Sequence, residues 1–186
     1  MEESTMVLYR EIQERYVKVL WTHKIQLCQA AISSSKAKRR NYLLSFLSVF
    51  VSASAITHIF KWLPDVVILP LMAIISLVLT FFTIYYKTEN LAKAAADNER
   101  FAATMHHLRN RYAGLLSDIK SGVLTNKQIV EIRKALENDE NLIYSGIVPA
   151  TSDKAVEMAN KALKISQDST TTDDEIATLI SQNLQV

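Results

Sequence analysis

Cysteine, glycine and proline are scarce in this 186-residue chain, with one, three and three copies. The single cysteine, Cys28, excludes an internal disulfide framework and a thiolate metal cluster. Gly114, Gly122 and Gly146 are too few and too scattered for a phosphate-cradling loop, and no HExxH, GxSxG or Cys-His spacing occurs. A net charge of +2 leaves little to neutralise a nucleic-acid backbone, so nucleic-acid binding is not expected. The most informative lack is of charge itself. No Asp, Glu, Lys or Arg stands between Asn41 and Phe60, and none between Val66 and Tyr86.

Each run, about 30 Å long as a helix, matches the hydrocarbon thickness of a bilayer. Their only polar side chains are Ser, Thr, one His and the rings and amide at the ends. A helix inside a soluble core of this size normally keeps a polar face, so a membrane hairpin is expected over 41–86, with helices at 41–60 and 66–86 and an outer loop at 61–65. Lys36, Lys38, Arg39 and Arg40 precede the first run and Lys87 follows the second, whereas the tip has only Lys61 and Asp65. The positive-inside rule then puts both termini in the cytoplasm of a multi-pass inner-membrane protein. Trp62 is expected at the outer interface and Tyr42, Tyr85 and Tyr86 at the inner one. The basic cluster has a topological role and a compatible stronger one, attraction to anionic lipid.

The remainder reads as helix. Residues 1–40 hold an amphipathic arm, over about 5–36, with Tyr9, Ile12, Tyr16, Val19, His23, Leu27 and Ala30 at near-heptad spacing. Trp21 and His23 are expected to pack rather than to do chemistry. Residues 87–166 form a cytosolic helical region, beginning with one long helix to Lys120. Its seam is Leu91, Ala94, Asn98, Phe101, Met105, Leu108, Tyr112, Leu115 and Ile119. That seam wants a helical partner, either the arm of the same chain or a neighbouring subunit, and a homo-oligomer is expected in part on this ground. Because no Gly or Pro stands between Tyr86 and Tyr112, the second membrane helix and the seam are expected to be one rigid lever.

Gly122 stops that helix. Thr125 and Gln128 form a capping box, with Leu124 and Ile129 as a hydrophobic staple. The next helix, about 126–144, carries Ile129, Ile132, Leu136 and Ile143 on one side. Its Glu131, Glu137, Asp139 and Glu140 alternate with Arg133 and Lys134 as a solvated face would. Thr151 or Ser152 caps a shorter helix to about Ser166 with Val156, Ala159 and Leu163 inward. Residues 167–186 read as a polar linker and a short last helix capped by Thr172 and Glu175.

The membrane helices carry the functional signal. Ser45, Ser48, Ser52 and Ala55 share one stripe of the first, and Ala73, Ser76, Thr80 and Thr83 share one stripe of the second. Either the two stripes pack against each other within the hairpin, or several hairpins assemble and turn part of these faces to a lumen. His106 and His107 have no cysteine or correctly spaced carboxylate beside them, so no metal, cofactor or catalytic residue is expected.

The order of amphipathic arm, basic KAKRRNY, two apolar runs around KWLPD, then ADNERFAATMHHLRNRYAGLLSDI and IYSGIVPATSDKAVEMANKAL resembles the SLATT family, the SMODS- and SLOG-associating two-transmembrane effectors of bacteria. The resemblance covers about residues 5–166. It implies an all-α pore-forming or membrane-perturbing effector of antiphage or nucleotide-signalling conflict, triggered by a sensor or nucleotide-signalling partner encoded nearby. The alternative is a non-conducting membrane-anchored scaffold whose cytosolic helices recruit a partner.

Overall fold

The computed structural model describes residues 3–59, 64–88 and 90–164. The expected tip at 61–63, including Lys61 and Trp62, and the linker and helix expected over 167–186 lie outside these residues. So do the side chains of Ala55, Tyr86 and Lys87. Five helices follow one another: α1 Glu3–Ile59, α2 Asp65–Thr88, α3 Leu91–Lys120, α4 Asn126–Ser145 and α5 Asp153–Lys164. The chain divides into two units, Met1–Ala30 with Ala96–Val186, and Ala31–Ala95.

The first unit packs α1, α3, α4 and α5 around Ile12, Tyr16, Val19, Met105, Leu108, Tyr112, Leu115, Ile129, Leu136 and Leu163. Burying each large aliphatic or aromatic side chain contributes on the order of 1.5–3 kcal/mol. The seam residues Asn98, Phe101, Met105, Leu108, Tyr112, Leu115 and Ile119 are all buried here. Their partners come from the same chain, which resolves the two options left by the spacing.

Helix direction follows from the pairing. Thr5 meets Asn126, Glu11 meets Arg133, Arg15 meets Glu137, Lys18 meets Glu140, Thr22 meets Tyr144 and Gln29 meets Ser152. The separation stays at 121 to 123 residues in every side-chain hydrogen bond of this set, so α1 and α4 run parallel. Phe101 meets Tyr144 and Tyr112 meets Glu140, so α3 runs antiparallel to α4.

The turn between α3 and α4 is built as its residues require. Gly122 takes φ +70, the left-handed conformation a side chain disfavours, and the amides of Gly122 and Val123 return to the carbonyls of Ile119 and Asp118. Thr125 then caps α4 in a complete capping box with Gln128. At α5 the structure selects Ser152 as the cap. Its Oγ accepts from the Ala155 amide at 3.4 Å, while Gln29 of α1 accepts from both Ser152 N and Oγ.

Two expectations about continuity change places. The arm and the first apolar run were expected as separate helices, yet α1 is unbroken from Glu3 to Ile59. The lever expected from the second run into the seam is instead interrupted. α2 ends at Thr88, and α3 begins after Asn90, whose Oδ1 accepts the Lys93 amide at 3.0 Å and whose carbonyl accepts that of Ala94. An Asn side chain can replace the missing helical acceptor, so a helix can restart without Gly or Pro.

Candidate functional site

The second unit holds the apolar segments. Among the described residues one helix, Val66–Tyr85, is long and apolar enough to cross a membrane, and only 6% of its most apolar window is buried. Val66, Ile74, Leu77, Phe81 and Ile84 are exposed. So continuous an apolar surface is unusual for a helix facing water and is what a membrane-anchoring helix presents. The C-terminal part of α1 likewise exposes Leu43, Phe46, Val49, Phe50 and Ile56.

Most side chains of both runs are exposed, and the few shielded positions are held mainly by large ones. In α1 these are Leu44, Leu47 and Val51, and in α2 Ile68, Met72, Ile75, Leu79 and Phe82, with Ser76 beside them. Ser45, Ser48, Ser52, Ala73, Thr80 and Thr83 are exposed. The described stripe residues other than Ser76 are thus open to the surroundings. Their hydroxyls have found partners in their own helix: Ser48 donates to the Leu44 carbonyl at 2.9 Å, Ser52 to Ser48 at 3.1 Å, Thr80 to Ser76 at 2.8 Å and Thr83 to Leu79 at 2.7 Å. An outward hydroxyl bonded in this way is compatible with lipid, a helix or water. Lys36, Lys38 and Arg39 are exposed and Arg40 is half-buried, within the unbroken turns of α1. Leu91 and Ala94 are half-buried in this unit, while the seam from Asn98 onward belongs to the first.

The polar side of the first unit corrects the reading of α4 as a solvated face. Glu140 is buried, 3.5 Å from Arg15, 3.8 Å from Lys18, and accepts the Tyr112 hydroxyl at 3.0 Å. Arg133 pairs with Glu11 and, at 3.5 Å, with Glu137. Burial, then the Glu140 carboxylate, pushes the Tyr112 phenol well above its ordinary range, so Tyr112 stays a donor. The interior includes Gln26 and half-buried Arg133 where the spacing pointed to Leu27 and Ile132, both exposed. Similarly, Ala155 is buried and Val156 exposed. A pattern was nevertheless available: Glu11, Arg15 and Lys18 match Arg133, Glu137 and Glu140 in spacing and oppose them in sign. Two parallel helices in register are needed to use it.

His23 lies between α1 and α3, its ring 5.3 Å from that of His106. Burial, then Arg109, His106 and Lys24, lowers its pKa to about 4, so it is neutral at physiological pH. His106 is 3.1 Å from the Asn110 amide nitrogen. Among the described residues no three His, Cys, Asp or Glu side chains gather as a metal site, and every regular element is helical.

Residues 8–175 match the family model of the SMODS and SLOG-associating 2TM effector domain family 4. The chain belongs to this SLATT family. Membership supports a general effector role and, with the exposed apolar α2, membrane anchoring. No curated protein and no solved structure matches the chain. In this SLATT chain the residues with site character thus fall into two groups, outward small faces on the apolar helices and a closed charge network in the helical bundle.

Proposed function

We propose that the chain is an oligomeric effector whose α1 and α2 both cross the inner membrane, with the two termini in the cytoplasm, and that assembly of several hairpins opens an ion path. The observation that carries this reading is that Ser45, Ser48, Ser52, Ala73, Thr80 and Thr83 are exposed, so these small faces are open to a neighbouring hairpin. Two helices cannot enclose a lumen, so the small faces act only between chains. Tight interhelical contact and a wetted wall both use small residues, and both require more than one hairpin.

The trigger acts on the bundle and reaches the membrane through α1. Its hydrogen-bond ladder continues from the bundle into the apolar run, whereas the path through α2 and α3 has a helix break at Asn90. A sensor or nucleotide-signalling partner encoded nearby supplies that trigger, in keeping with the association in the family description. The second reading is a non-conducting anchor, favoured by the hydroxyls already bonded to their own backbone.

Ion flux from liposomes holding the purified protein, with its trigger present, separates the readings. Ser52→Leu and Thr80→Leu should each lower or abolish flux with membrane insertion intact. Flux equal to the parent in both variants refutes the small-face path, and no flux from the parent leaves the anchor. Ser34→Pro removes one bond of the α1 ladder and should uncouple trigger from flux while the trigger still binds.

A further inference from the structure

The second unit contains a cavity of about 760 Å³ lined by Lys36, Arg39, Arg40, Tyr42, Leu43, Phe46 and, from α3, Leu91. We propose that this cavity is a discrete site for one anionic phospholipid. It deepens the membrane reading above and rests on insertion of the chain, not on conduction.

Three features point to that ligand. First, the lining is ordered along α1: Lys36, Arg39 and Arg40 come first, and Tyr42, Leu43 and Phe46 follow toward the apolar run. At 1.5 Å rise per residue this spans about 15 Å, so phosphate oxygens can meet guanidinium donors while acyl carbons lie along Leu43 and Phe46. Second, every charged side chain among the described residues that line the cavity is basic, which favours an anionic occupant. Third, Leu43 and Phe46 are themselves exposed to the surroundings, which joins the cavity to the apolar surface that a bilayer would cover. A free phosphate uses the cations alone; a lipid uses both ends.

The contribution of Leu91 gives the site a consequence. Leu91 is the first residue of α3, directly after the Asn90 cap. A lipid filling the cavity would touch the α1 basic turn and the start of α3 at once, and so hold the α2–α3 break in one arrangement.

Lys38 provides the control, because it belongs to the same basic run and is exposed but does not line the cavity. Full-length protein would be inserted in nanodiscs of phosphatidylcholine containing a minor fraction of phosphatidylglycerol. Lipid retained after mild detergent extraction would be counted by native mass spectrometry. Phosphatidylglycerol should be retained over phosphatidylcholine by at least about tenfold. Arg39→Gln and Arg40→Gln should each reduce that preference about fivefold or more, Phe46→Ser should reduce it at unchanged charge, and Lys38→Gln should leave it unchanged. Inorganic phosphate and glycerol 3-phosphate should not displace the lipid at millimolar concentration.

Equal losses for Lys38→Gln and Arg40→Gln would show diffuse surface attraction and overturn the site. Displacement by inorganic phosphate would show an anion site without lipid recognition and overturn it equally. Arg39 is exposed, so Arg39→Gln keeps the test open if Arg40→Gln fails to fold, which circular dichroism would report. Lipid retention is read without flux, so an anchor that never conducts can still pass or fail this test.

Discussion

The two units treat the same kind of sequence in opposite ways. In the bundle, large apolar side chains and even Glu140, Gln13 and Gln26 are buried. In Ala31–Ala95 the described large side chains of the apolar run are mostly exposed, and Ile68 is the buried one among them. The difference is one of solvent. A bundle in water must bury its apolar faces and pair what polar groups go with them, whereas apolar helices in lipid gain little by hiding and associate through close contact. Stability therefore resides in the bundle, and the exposed apolar surface resides in the second unit.

A charge is the sharpest way to break this contrast. Leu108→Glu puts a carboxylate where a 2% exposed leucine sits and should unfold the bundle, costing on the order of 4 kcal/mol or more, with loss of protease resistance in detergent. Leu77→Ser, at 71% exposure, should leave bundle stability unchanged and act only on insertion. Equal loss of bundle stability from both would show that the units are not energetically distinct.

Removing one member of the charge network comes next. Glu140→Ala leaves the buried Tyr112 hydroxyl without its acceptor and Arg15 with Glu137 alone, and should cost about 2 kcal/mol in urea unfolding. Lys18→Ala, whose side chain is largely exposed, should fall below about 1 kcal/mol. If the two lose equally, Glu140 is not the centre of the network.

The cap of α4 predicts a smaller loss. Thr125→Ala removes the acceptor for the Gln128 amide and should cost about 1 kcal/mol, with Thr125→Ser retaining most of it. No difference between these two variants would mean that the staple of Leu124 and Ile129 carries the turn.

The smallest expected effect is one of pH. His23 has a folded pKa of about 4 against an ordinary 6.5, so the unfolded chain binds the extra proton between those values. Its contribution is complete above pH 6.5 and is lost as pH falls toward 4. For this half-buried ring, ~1 kcal/mol or less should separate pH 7 from pH 5 after solvent screening. His23→Gln should flatten that part of the pH–Tm profile relative to the parent; identical profiles would remove His23 from the account.

Several of these elements were open to direct reading because their causes are local. Gly122, Thr125 and Gln128 specify the α3–α4 turn through backbone conformation and neighbouring side chains. The apolar length of 66–85 needs no partner to be recognised. The start of α3 has no Gly or Pro to mark it; Asn90, a residue type that caps helices, supplies the stop. The small hydroxyl stripes were found by period, yet period is silent on which side of a hairpin they occupy.

Sequence alone determined the helical class, most of the packing positions in the seam, the capped turns, the basic cluster and the charge-free runs, since each depends on residues a few positions apart. Tertiary structure decided that the seam closes on its own chain, that α1 and α4 run parallel, and that Glu140 goes inward with Arg15 and Tyr112. It also decided that Ser48, Ser52, Thr80 and Thr83 remain exposed. Those outcomes depend on pairing across a separation of about 122 residues or between helices. A helical period names a face but not its neighbour, and burial of a charge depends on the neighbour.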